Sequence, residues 1–365
     1  MKALVSTHTL FSRIGKIALG KSYRGRGAEV KELPMPDFSD DEVLVRVLAV
    51  ALNPTDFKHI DFISPKNAIV GCDYAGEVAA VGAKAAEKWK AGDRIAGVVH
   101  GGLYLDFGSF AEYLKVPYDI AWKIPTGMSD AEASTYGVSA ITASLALNNR
   151  LGLPWANESH KTDQTQPRDH PTILIYAGST SAGLFHIQMA KAAGLTVVTT
   201  ASPHSFALVK KYGADSAFDY RSPTVAADIV KLFPNISMAV DCFSEGNSTE
   251  ICGQVIKQHG GKVVTLLNAG KSKIPGVKYQ AIIAYTMLGR PFQWLPPIGP
   301  KWPAMPADRE TLAHLYAMLP EVTHIIKPLP VTPIGKGFDA IFKGLDLLRA
   351  GKVSGSKLVV KMSSN

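Results

Sequence analysis

The chain has few of the residues that would indicate several large classes of protein. It contains three cysteines among 365 residues, namely Cys72, Cys242 and Cys252, and this odd number lacks the paired spacing of a metal site or a disulfide framework. We therefore expect buried thiols in a reducing compartment, and predict a cytoplasmic protein. Charged residues make up 19% and aromatic residues 8%. Because aromatic and basic residues do not alternate in any compact module, we exclude nucleic acid as a partner.

Long apolar runs are also missing. No stretch approaches the length of a membrane span, and the N-terminal MKALVSTHTL has neither the apolar core nor the cleavage site of a secretion signal. We therefore predict that the chain does not bind a membrane. A hydrophobic content of 46% is typical of a globular protein, and the length is sufficient for two domains with sizeable cores.

The stretch from Pro171 to Ala201 has the pattern of a βαβ unit. Ile173 to Ala177 is a short apolar run typical of a buried parallel strand, a turn of small residues follows at 178–183, and helical spacing continues to Gly194. Leu195 to Thr200 is a second strand. A helix that begins after such a turn offers N–H groups and the positive end of its dipole to a phosphate. We interpret the unit as a dinucleotide site; the alternative is a turn that needs glycine only for close packing.

The end of the second strand indicates which dinucleotide. NAD sites usually place an Asp or Glu about twenty residues after the glycines, where it holds the ribose 2'-hydroxyl. Here the sequence reads Thr200-Ala201-Ser202-Pro203-His204-Ser205, without an acid. These hydroxyls and the imidazole, with Lys210 and Lys211 nearby, suit a 2'-phosphate, so we predict NADPH. The two lysines are equally typical of a solvated helix face.

The rest of the chain predicts an α/β protein of two domains. Residues 1–135 contain short strand-like runs separated by Gly, Pro and Asp, which is typical of a compact antiparallel β domain. Residues 136–329 alternate helices with buried strands, the pattern of a Rossmann doubly wound parallel sheet, with an exposed polar insert at 154–170. The last strand, within 330–365, is expected to return to the first domain. A capping box at Ser129 and Glu132 predicts a helix start.

The order of these pieces resembles the medium-chain dehydrogenase/reductase superfamily over essentially the whole chain, which implies that the first domain is GroES-like. The motifs that carry this resemblance are Asn53-Pro54-x-Asp56, 71–82, Gly92-Asp93-Arg94-Ile95, 137–143, 177–183, Lys211-Tyr212-Gly213-Ala214-Asp215 and 351–359. The chain is similar above all to zinc-free, fungal trans-acting enoyl reductases. The details that point to this branch are 53–58, the polar insert, Ser202-Pro203-His204, Phe218-Asp219-Tyr220-Arg221 and 288–292.

Metal chemistry is not expected. The superfamily's zinc alcohol dehydrogenases carry Gly-His-Glu where this chain has Gly71-Cys72-Asp73, and many carry a lobe of four cysteines. With no set of His, Cys and carboxylate residues at ligand spacing, we predict neither a catalytic nor a structural zinc. Cys72 is interpreted as a packing residue.

The resemblance implies an NADPH-dependent reduction of an α,β-unsaturated acyl thioester on the carrier protein of a polyketide synthase or a hybrid with a peptide synthetase. It implies two catalytic residues: Lys58, to position the ribose or supply a proton, and Thr142, to hold the carboxamide or the substrate. The alternatives are a surface lysine and a threonine bonded to the preceding helical turn.

The resemblance also implies two sets of binding residues. For the cofactor they are Thr55, Asp56, Phe57, Lys58, Ser179, Thr180, Ser181, Ala182, Ser202, Pro203, His204, Ser205, Tyr220, Leu267, Asn268, Val353 and Ser354. For the substrate they are Ala140, Thr142, Leu288, Gly289, Arg290, Pro291 and Phe292. An ordinary strand-end aromatic is the alternative for Tyr220, and a simple connection between two domains is the alternative for 288–292.

Two other functions remain open at this point. One is an independent NADPH quinone or alkenal reductase that accepts small free enones, and the other is a partner protein that shapes a bound polyene without hydride transfer. The net charge of +8 favours docking of an acidic carrier protein. We expect a monomer rather than the homodimer common among relatives.

Overall fold

The structure is a computed structural model that describes residues 1–19, 26–158 and 171–362. The polar insert predicted at 154–170 therefore lies mostly outside the described residues. Within those ranges, no helix has both the length and the apolar character needed to cross a bilayer.

The chain divides into two compact units. Unit 1 comprises Met1–Val138, Tyr285–Pro320 and Pro330–Asn365, and unit 2 comprises Ser139–Ala284 and Glu321–Leu329. Residues 285–320 thus group with unit 1, whereas the sequence analysis places them in the nucleotide-binding domain. Its first part is rich in proline between 290 and 306, and that part has no period-2 or period-3.6 pattern that would indicate which unit it packs against.

Unit 1 is built on a seven-stranded sheet in the order β16-β17-β3-β4-β5-β7, with β6 paired to β3. Its strands are β3 (Glu42–Ala51), β4 (Asp73–Val81), β5 (Arg94–Val98), β6 (Tyr113–Pro117), β7 (Ala121–Lys123), β16 (Val331–Lys336) and β17 (Lys357–Lys361). The chain's last strand lies beside β3, because β17 pairs antiparallel with it through Val360 and Val50. A second, two-stranded sheet pairs β1 (Lys2–Ser6) with β2 (Ala28–Glu32), and α1 (Leu10–Leu19) lies between these two strands in the chain.

The short helices of unit 1 begin at capping boxes. In α2 (Pro54–Lys58), Asn53 is the N-cap, and the Asp56 carboxylate accepts a hydrogen bond from the Asn53 N–H. In α3 (Asp130–Ala133), the Ser129 hydroxyl accepts from the Glu132 N–H and the Glu132 carboxylate accepts from the Ser129 N–H, which confirms the predicted helix start. Unit 1 also contains β14 (Phe292–Gln293), β15 (Lys301–Trp302) and α10 (Gly337–Arg349), and α9 (Pro306–Val322) begins in it.

Unit 2 contains a parallel six-stranded sheet in the order β10-β9-β8-β11-β12-β13. Its strands are β8 (Thr172–Tyr176), β9 (Thr196–Ala201), β10 (Ser216–Asp219), β11 (Met238–Asp241), β12 (Gly261–Thr265) and β13 (Val277–Ala281). Its helices are α4 (Val138–Ser144), which starts at the boundary with unit 1, α5 (Ser181–Ala192), α6 (Phe206–Lys211), α7 (Val225–Leu232) and α8 (Ser248–Ile256). Strands β8 to β10 extend in one direction and β11 to β13 in the other, so the topological switch point lies between β8 and β11.

These two sheets confirm the predicted combination of a Rossmann domain and a β-rich domain. Ligands of doubly wound sheets bind outside the carboxyl ends of the strands at the switch point. The core of unit 2 includes Leu174, Val198, Ala239 and Val263, all fully buried on the central strands. The residues that follow β8 and β11 are therefore the first place to look for a site.

Candidate functional site

The turn between β8 and α5 is held by contacts that only glycine permits. A Cβ on Gly178 would lie 2.0 Å from Thr199 Oγ1, and one on Gly183 would lie 2.4 Å from the Ala177 carbonyl oxygen. Ala177 has a positive φ of 59°, and its carbonyl accepts from the Thr180 hydroxyl at 2.8 Å. That hydroxyl in turn accepts from the Gly183 N–H at 3.0 Å as the N-cap of α5. The first turn of α5 has no acidic residue, so its dipole is available to an anion.

The predicted pyrophosphate residues lie in this turn. Ser179 and Thr180 precede α5, while Ser181 and Ala182 are its first two residues, and all four are half-buried. The geometry fits a phosphate group, and a bound pyrophosphate at these residues stays a prediction.

The residues predicted at the 2'-phosphate follow β9. Ser202 is half-buried, Pro203 and His204 are exposed, and Ser205 is 4% exposed. The Ser205 N–H donates to the Ser202 carbonyl at 2.8 Å, which closes one 3-10 turn before α6. Lys210 lies exposed at the end of α6. Ser202 and His204 are thus presented at the carboxyl end of β9, whereas the Ser205 side chain is withdrawn from the surface.

An ion pair lies at the neighbouring strand end. Tyr220 is 42% exposed directly after β10, and Arg221 binds Asp219 through two bonds of 3.0 Å from Nε and Nη2. These hydrogen bonds lower the pKa of the Asp219 carboxyl below its usual value. Because β9 and β10 are adjacent and parallel, the carboxylate beside the Ser202 turn is already neutralised by the guanidinium. Arg221 was predicted only as part of a family motif, and its pairing with Asp219 was not predicted from the sequence.

The loops after β11 and β12 are bound to each other through Ser244. The fully buried Asp241 accepts from the N–H groups of Phe243 and Ser244 at 3.0 and 2.9 Å. Ser244 has a φ of 58°, and its hydroxyl accepts from the Leu266 N–H at 2.9 Å. This arrangement leaves Phe243 51% exposed and Leu267 38% exposed.

Phe243 is a residue that the sequence analysis missed. Its position two residues after the end of a buried parallel strand was the signal available in the sequence. Leu267 and Asn268, predicted on the nicotinamide side, follow β12, and Asn268 Oδ1 accepts from the Gly270 N–H at 3.0 Å in a local turn.

In unit 1, α2 presents the other predicted cofactor residues. Thr55, Phe57 and Lys58 are half-buried, and Asp56 is 1% exposed. The Arg349 guanidinium lies 5.6 Å from the centre of the Phe57 ring. Desolvation, followed by the charge of Asp73, raises the pKa of Asp56 to about 7.

The two predicted catalytic residues lie in different units. Lys58 is the last residue of α2 in unit 1, while Thr142 is 7% exposed on α4 in unit 2. Ala140, predicted to contact substrate, is fully buried on α4. Val353 and Ser354 belong to unit 1 in the loop before β17, where Val353 is half-buried and Ser354 is exposed. The roles of all these residues stay predictions.

The segment 288–292 divides into two parts. The carbonyl of the buried Leu288 accepts from Arg309 Nη1 at 3.0 Å, and Gly289, at φ 68°, lies against the Arg309 side chain. Arg290 places its guanidinium 4.7 Å from the centre of the Tyr104 ring. A groove of about 550 Å³ begins at the next residue and is lined by Pro291, Phe292, Gln293, Lys301, Trp302 and Pro303.

Aromatic rings extend from this groove into the interior of unit 1. Trp302 stacks on Phe292 at 5.0 Å, and Phe292 contacts the edge of His100 at 5.0 Å. His100 stacks on Tyr285 at 3.8 Å with 11° between the planes. Among the predicted substrate residues, Pro291 and Phe292 therefore line a groove, while Leu288 and Gly289 hold Arg309. Trp302 and Tyr285 were not predicted, because no local pattern in the sequence marks them.

Across residues 1–19, 26–158 and 171–362, no cluster of three or more His, Cys, Asp or Glu side chains is arranged to hold a metal ion. The three cysteines are buried and free, and burial raises the pKa of each thiol well above its usual value. The expected absence of zinc stays a prediction.

Known proteins match both units. The alcohol dehydrogenase GroES-like domain family matches residues 39–126, and the zinc-binding dehydrogenase family matches residues 182–283. The chain is 40% identical over 271 residues to Trans-enoyl reductase TOXD of Cochliobolus carbonum, which spans 73% of this chain and 88% of that protein. It is 37% identical over 341 residues to Trans-enoyl reductase ACTTS2 of Alternaria alternata, spanning 92% and 95%. The solved structure of mycobacterial Rv1454c complexed with NADPH has a TM-score of 0.68 at 19% identity and covers 99% of each chain, a likeness of fold.

Proposed function

From the premise that this chain belongs to the trans-enoyl reductases of the medium-chain dehydrogenase/reductase superfamily, we propose that it reduces the α,β-double bond of an acyl chain held on a carrier protein, with NADPH as reductant. The observation that carries the choice of cofactor is the acid-free turn Ser202–Ser205 at the carboxyl end of β9. The neighbouring Asp219 is paired with Arg221 and the Ser205 side chain is buried, so a 2'-phosphate at this turn meets the Ser202 hydroxyl and the His204 imidazole rather than an unpaired carboxylate.

The residues of unit 2 fit this cofactor in three places. The pyrophosphate lies at the N-terminus of α5, where Gly178 and Gly183 keep the turn free of side chains. The adenosine 2'-phosphate is bound at Ser202, with the Tyr220 ring beside it. The apolar side chains of Phe243 and Leu267 lie after β11 and β12 and provide a dry surface for the nicotinamide ring.

When bound, NADPH supplies the hydride, and the protein has to polarise the alkene and provide a proton. Negative charge develops on the thioester oxygen as the hydride adds, so a cation or a hydrogen-bond donor must stabilise it. We assign this role to Lys58 and the positioning of the thioester to Thr142. The acyl chain is assigned to the aromatic groove that contains Phe292.

The partner in this proposal is a polyketide synthase, or its hybrid with a peptide synthetase, acting through its acyl carrier protein. Carrier proteins that bear a phosphopantetheine arm present acidic surfaces, and the net charge of +8 favours their encounter with this chain. We propose a cytoplasmic location, since three free buried cysteines suit a reducing compartment. We also propose that the protein is a monomer.

The proposal is tested by incubating the protein with NADPH and a crotonyl thioester, either on a carrier protein or on pantetheine, while following NADPH absorbance and product mass together. We expect one saturated thioester for each NADPH consumed. Faster reduction of free enones or quinones than of any thioester would favour an independent reductase. If NADPH stays unconsumed while the protein alters the product of a synthase, the chain acts as a partner that shapes the intermediate.

The role of Lys58 has its own test. Lys58→Ala should lower kcat at least tenfold while changing the NADPH Kd less than threefold, because the amine is assigned to the chemical step. Lys66→Ala, at an exposed lysine of the same unit, is the matched control and should leave both unchanged. Equal kcat values for the two variants would remove Lys58 from the mechanism.

A further inference from the structure

Four side chains of unit 1 that each carry a transferable proton form a row through its interior. The Tyr285 hydroxyl is 2.7 Å from Thr55 Oγ1 on one side and 3.4 Å from Cys72 Sγ on the other. Beyond Cys72 is the carboxyl of Asp56, whose pKa is lowered by its interaction with the thiol. The residues come from three separate parts of the chain, and the proposed function so far uses none of them in the chemical step.

The series has one end near the surface. Asp56, Cys72 and Tyr285 are 1%, 1% and 4% exposed, whereas Thr55 is half-buried. A proton that enters or leaves the series through its own members must therefore pass Thr55. Burial raises the pKa of the Tyr285 phenol and of the Cys72 thiol well above their usual values, so both groups carry their protons at neutral pH.

The Tyr285 ring is locked in place. It stacks face to face with His100 at 3.8 Å, and the His59 ring contacts it edge-on at 5.1 Å. Trp294 Nε1 donates to His100 Nε2 at 3.3 Å, which fixes that nitrogen as an acceptor. Burial lowers the pKa of His59 to about 4 and that of His100 well below its usual value, so neither adds a charge beside the phenol.

The inner end of the series is a carboxyl with an unsatisfied oxygen. Asp56 Oδ2 accepts from the Asn53 N–H at 2.7 Å, but Oδ1 finds no partner of normal hydrogen-bond geometry among the described residues. Leaving a buried carboxylate oxygen unpaired costs free energy, which a proton on Oδ1 relieves. The charged groups around it are Asp73, which raises the Asp56 pKa, and Lys357, which lowers it; Lys357 Nζ pairs with Asp73 Oδ2 at 3.2 Å.

We propose that Thr55, Tyr285, Cys72 and Asp56 form a proton relay that ends at the Thr55 hydroxyl and protonates the α-carbon of the reduced acyl chain. This inference rests on the proposed function. After hydride has reached the β-carbon, a C–H bond forms at the α-carbon as the Thr55 O–H bond breaks. Thr55 takes a proton from Tyr285, Tyr285 from Cys72, and Cys72 from Asp56. After the product has left, a proton from water enters at Thr55 and returns along the same series to the Asp56 carboxylate. Thr55 is the catalytic residue, and the other three are positioning residues that act through it.

The test uses Tyr285→Phe in the full-length protein with NADPH and crotonyl-pantetheine in D2O. This change removes one hydroxyl and keeps the ring that stacks on His100. We expect kcat to fall roughly 100-fold, the usual contribution of a positioned proton donor, with the NADPH Kd unchanged. We also expect deuterium at the α-carbon on both faces in the variant and on one face in the wild type, because solvent replaces the relay. Tyr316→Phe is the control, since Tyr316 is 1% exposed in the same unit and its hydroxyl donates to the Tyr136 carbonyl at 3.2 Å.

A second variant keeps the test independent of stability. Thr55→Val retains the shape of the side chain, and it should reproduce the loss of facial selectivity of Tyr285→Phe without an additive effect in the double variant. Wild-type selectivity in Tyr285→Phe, whatever its kcat, would overturn the relay and leave the proposed function intact. A wild type that fails to consume NADPH with any enoyl thioester would overturn the proposed function and the relay with it.

Discussion

The two candidate sites are built in opposite ways. In unit 2, the turn between β8 and α5 is made by backbone atoms within a few residues of one another, and close approach at Gly178 and Gly183 defines its shape. In unit 1, the relay is made by side chains that meet from distant parts of the chain, with Thr55 and Tyr285 separated by 230 positions.

This difference determines how each site fails. A backbone site is lost when any atom is added, because the space it encloses is set by the main chain. A side-chain site is lost when a single polar atom is removed, while the surrounding packing survives. A substitution in the backbone site should therefore lower cofactor binding and protein stability together. A substitution in the side-chain site should lower the reaction rate and leave binding and stability unchanged.

The largest effect is expected from adding a methyl group in the turn. In Gly183→Ala the new Cβ would lie 2.4 Å from the Ala177 carbonyl oxygen and 2.6 Å from Gly178 Cα, both backbone atoms that cannot move aside. We expect the free energy of unfolding to fall by about 2 kcal/mol and NADPH affinity to fall roughly 30-fold. Urea unfolding and NADPH titration measure the two quantities.

Gly253→Ala is the matched control within unit 2. Its Cβ would meet Ile274 Cδ1 at 2.8 Å and the Tyr279 hydroxyl at 3.0 Å, which are ends of side chains that can shift. We expect a change in stability of less than about 1 kcal/mol, since helix propensity compensates, and unchanged NADPH affinity. Equal losses of affinity in both variants would mean that the turn is not the binding site.

A negative charge after β9 should have the next largest effect. Ser202→Asp places a carboxylate where the 2'-phosphate is proposed to bind, so NADPH affinity should fall roughly 10-fold, about 1.4 kcal/mol, with little change for NADH. Ser202→Ala removes the hydroxyl without adding a charge, so it should lower NADPH affinity by less than Ser202→Asp does. Undiminished preference for NADPH in the Asp variant would place the phosphate elsewhere.

In unit 1, the aromatic groove should show a smaller effect that depends on the substrate. Trp302→Ala removes the ring that stacks on Phe292, and the loss of about 1 kcal/mol of aromatic contact should raise KM roughly fivefold for an eight-carbon enoyl thioester. Crotonyl thioester, which is too short to fill the groove, should be unaffected. Ile298→Ala, at a residue 67% exposed in the loop between β14 and β15, is the control. A similar KM in all three proteins would remove the groove from acyl binding.

The smallest effect is a pH dependence that belongs to unit 1. Because burial raises the pKa of Asp56 to about 7, its contribution to stability is fully present below its unfolded pKa and is lost as pH rises through about 7. Asp56→Asn abolishes this titration and keeps an acceptor for the Asn53 N–H. Between about pH 6 and pH 8 we expect the wild type to lose on the order of 1 kcal/mol relative to the variant.

The buried histidines do not obscure this comparison. The pKa of His59 is lowered to about 4, so its contribution to stability has the opposite sign and is lost as pH falls below its unfolded pKa. The wild type and Asp56→Asn both contain His59, so this contribution cancels in their difference. Urea unfolding across the range measures the difference. Parallel stability curves for the two proteins would contradict the raised pKa of Asp56.

The same contrast explains what the sequence could predict. The buried strand at 173–177, its glycine turn and the capping box at Ser129 are local patterns, and the structure confirms the fold that they indicated. The ion pair between Arg221 and Asp219 could have been predicted from the sequence, because the two residues are two positions apart at a strand end. Tyr285 was not, since its partners Thr55 and Cys72 become visible only when the segment 285–320 packs on unit 1. For the same reason, reading Cys72 as packing described its burial and missed its contact with the phenol.

One measurement tests the account most directly: reduction of crotonyl-pantetheine by the wild-type protein with NADPH in D2O, with NADPH consumption, product mass and configuration at the α-carbon determined together. The account predicts one NADPH per saturated product and a single deuterium on one face of the α-carbon. NADPH left unconsumed, or deuterium distributed over both faces, would contradict it.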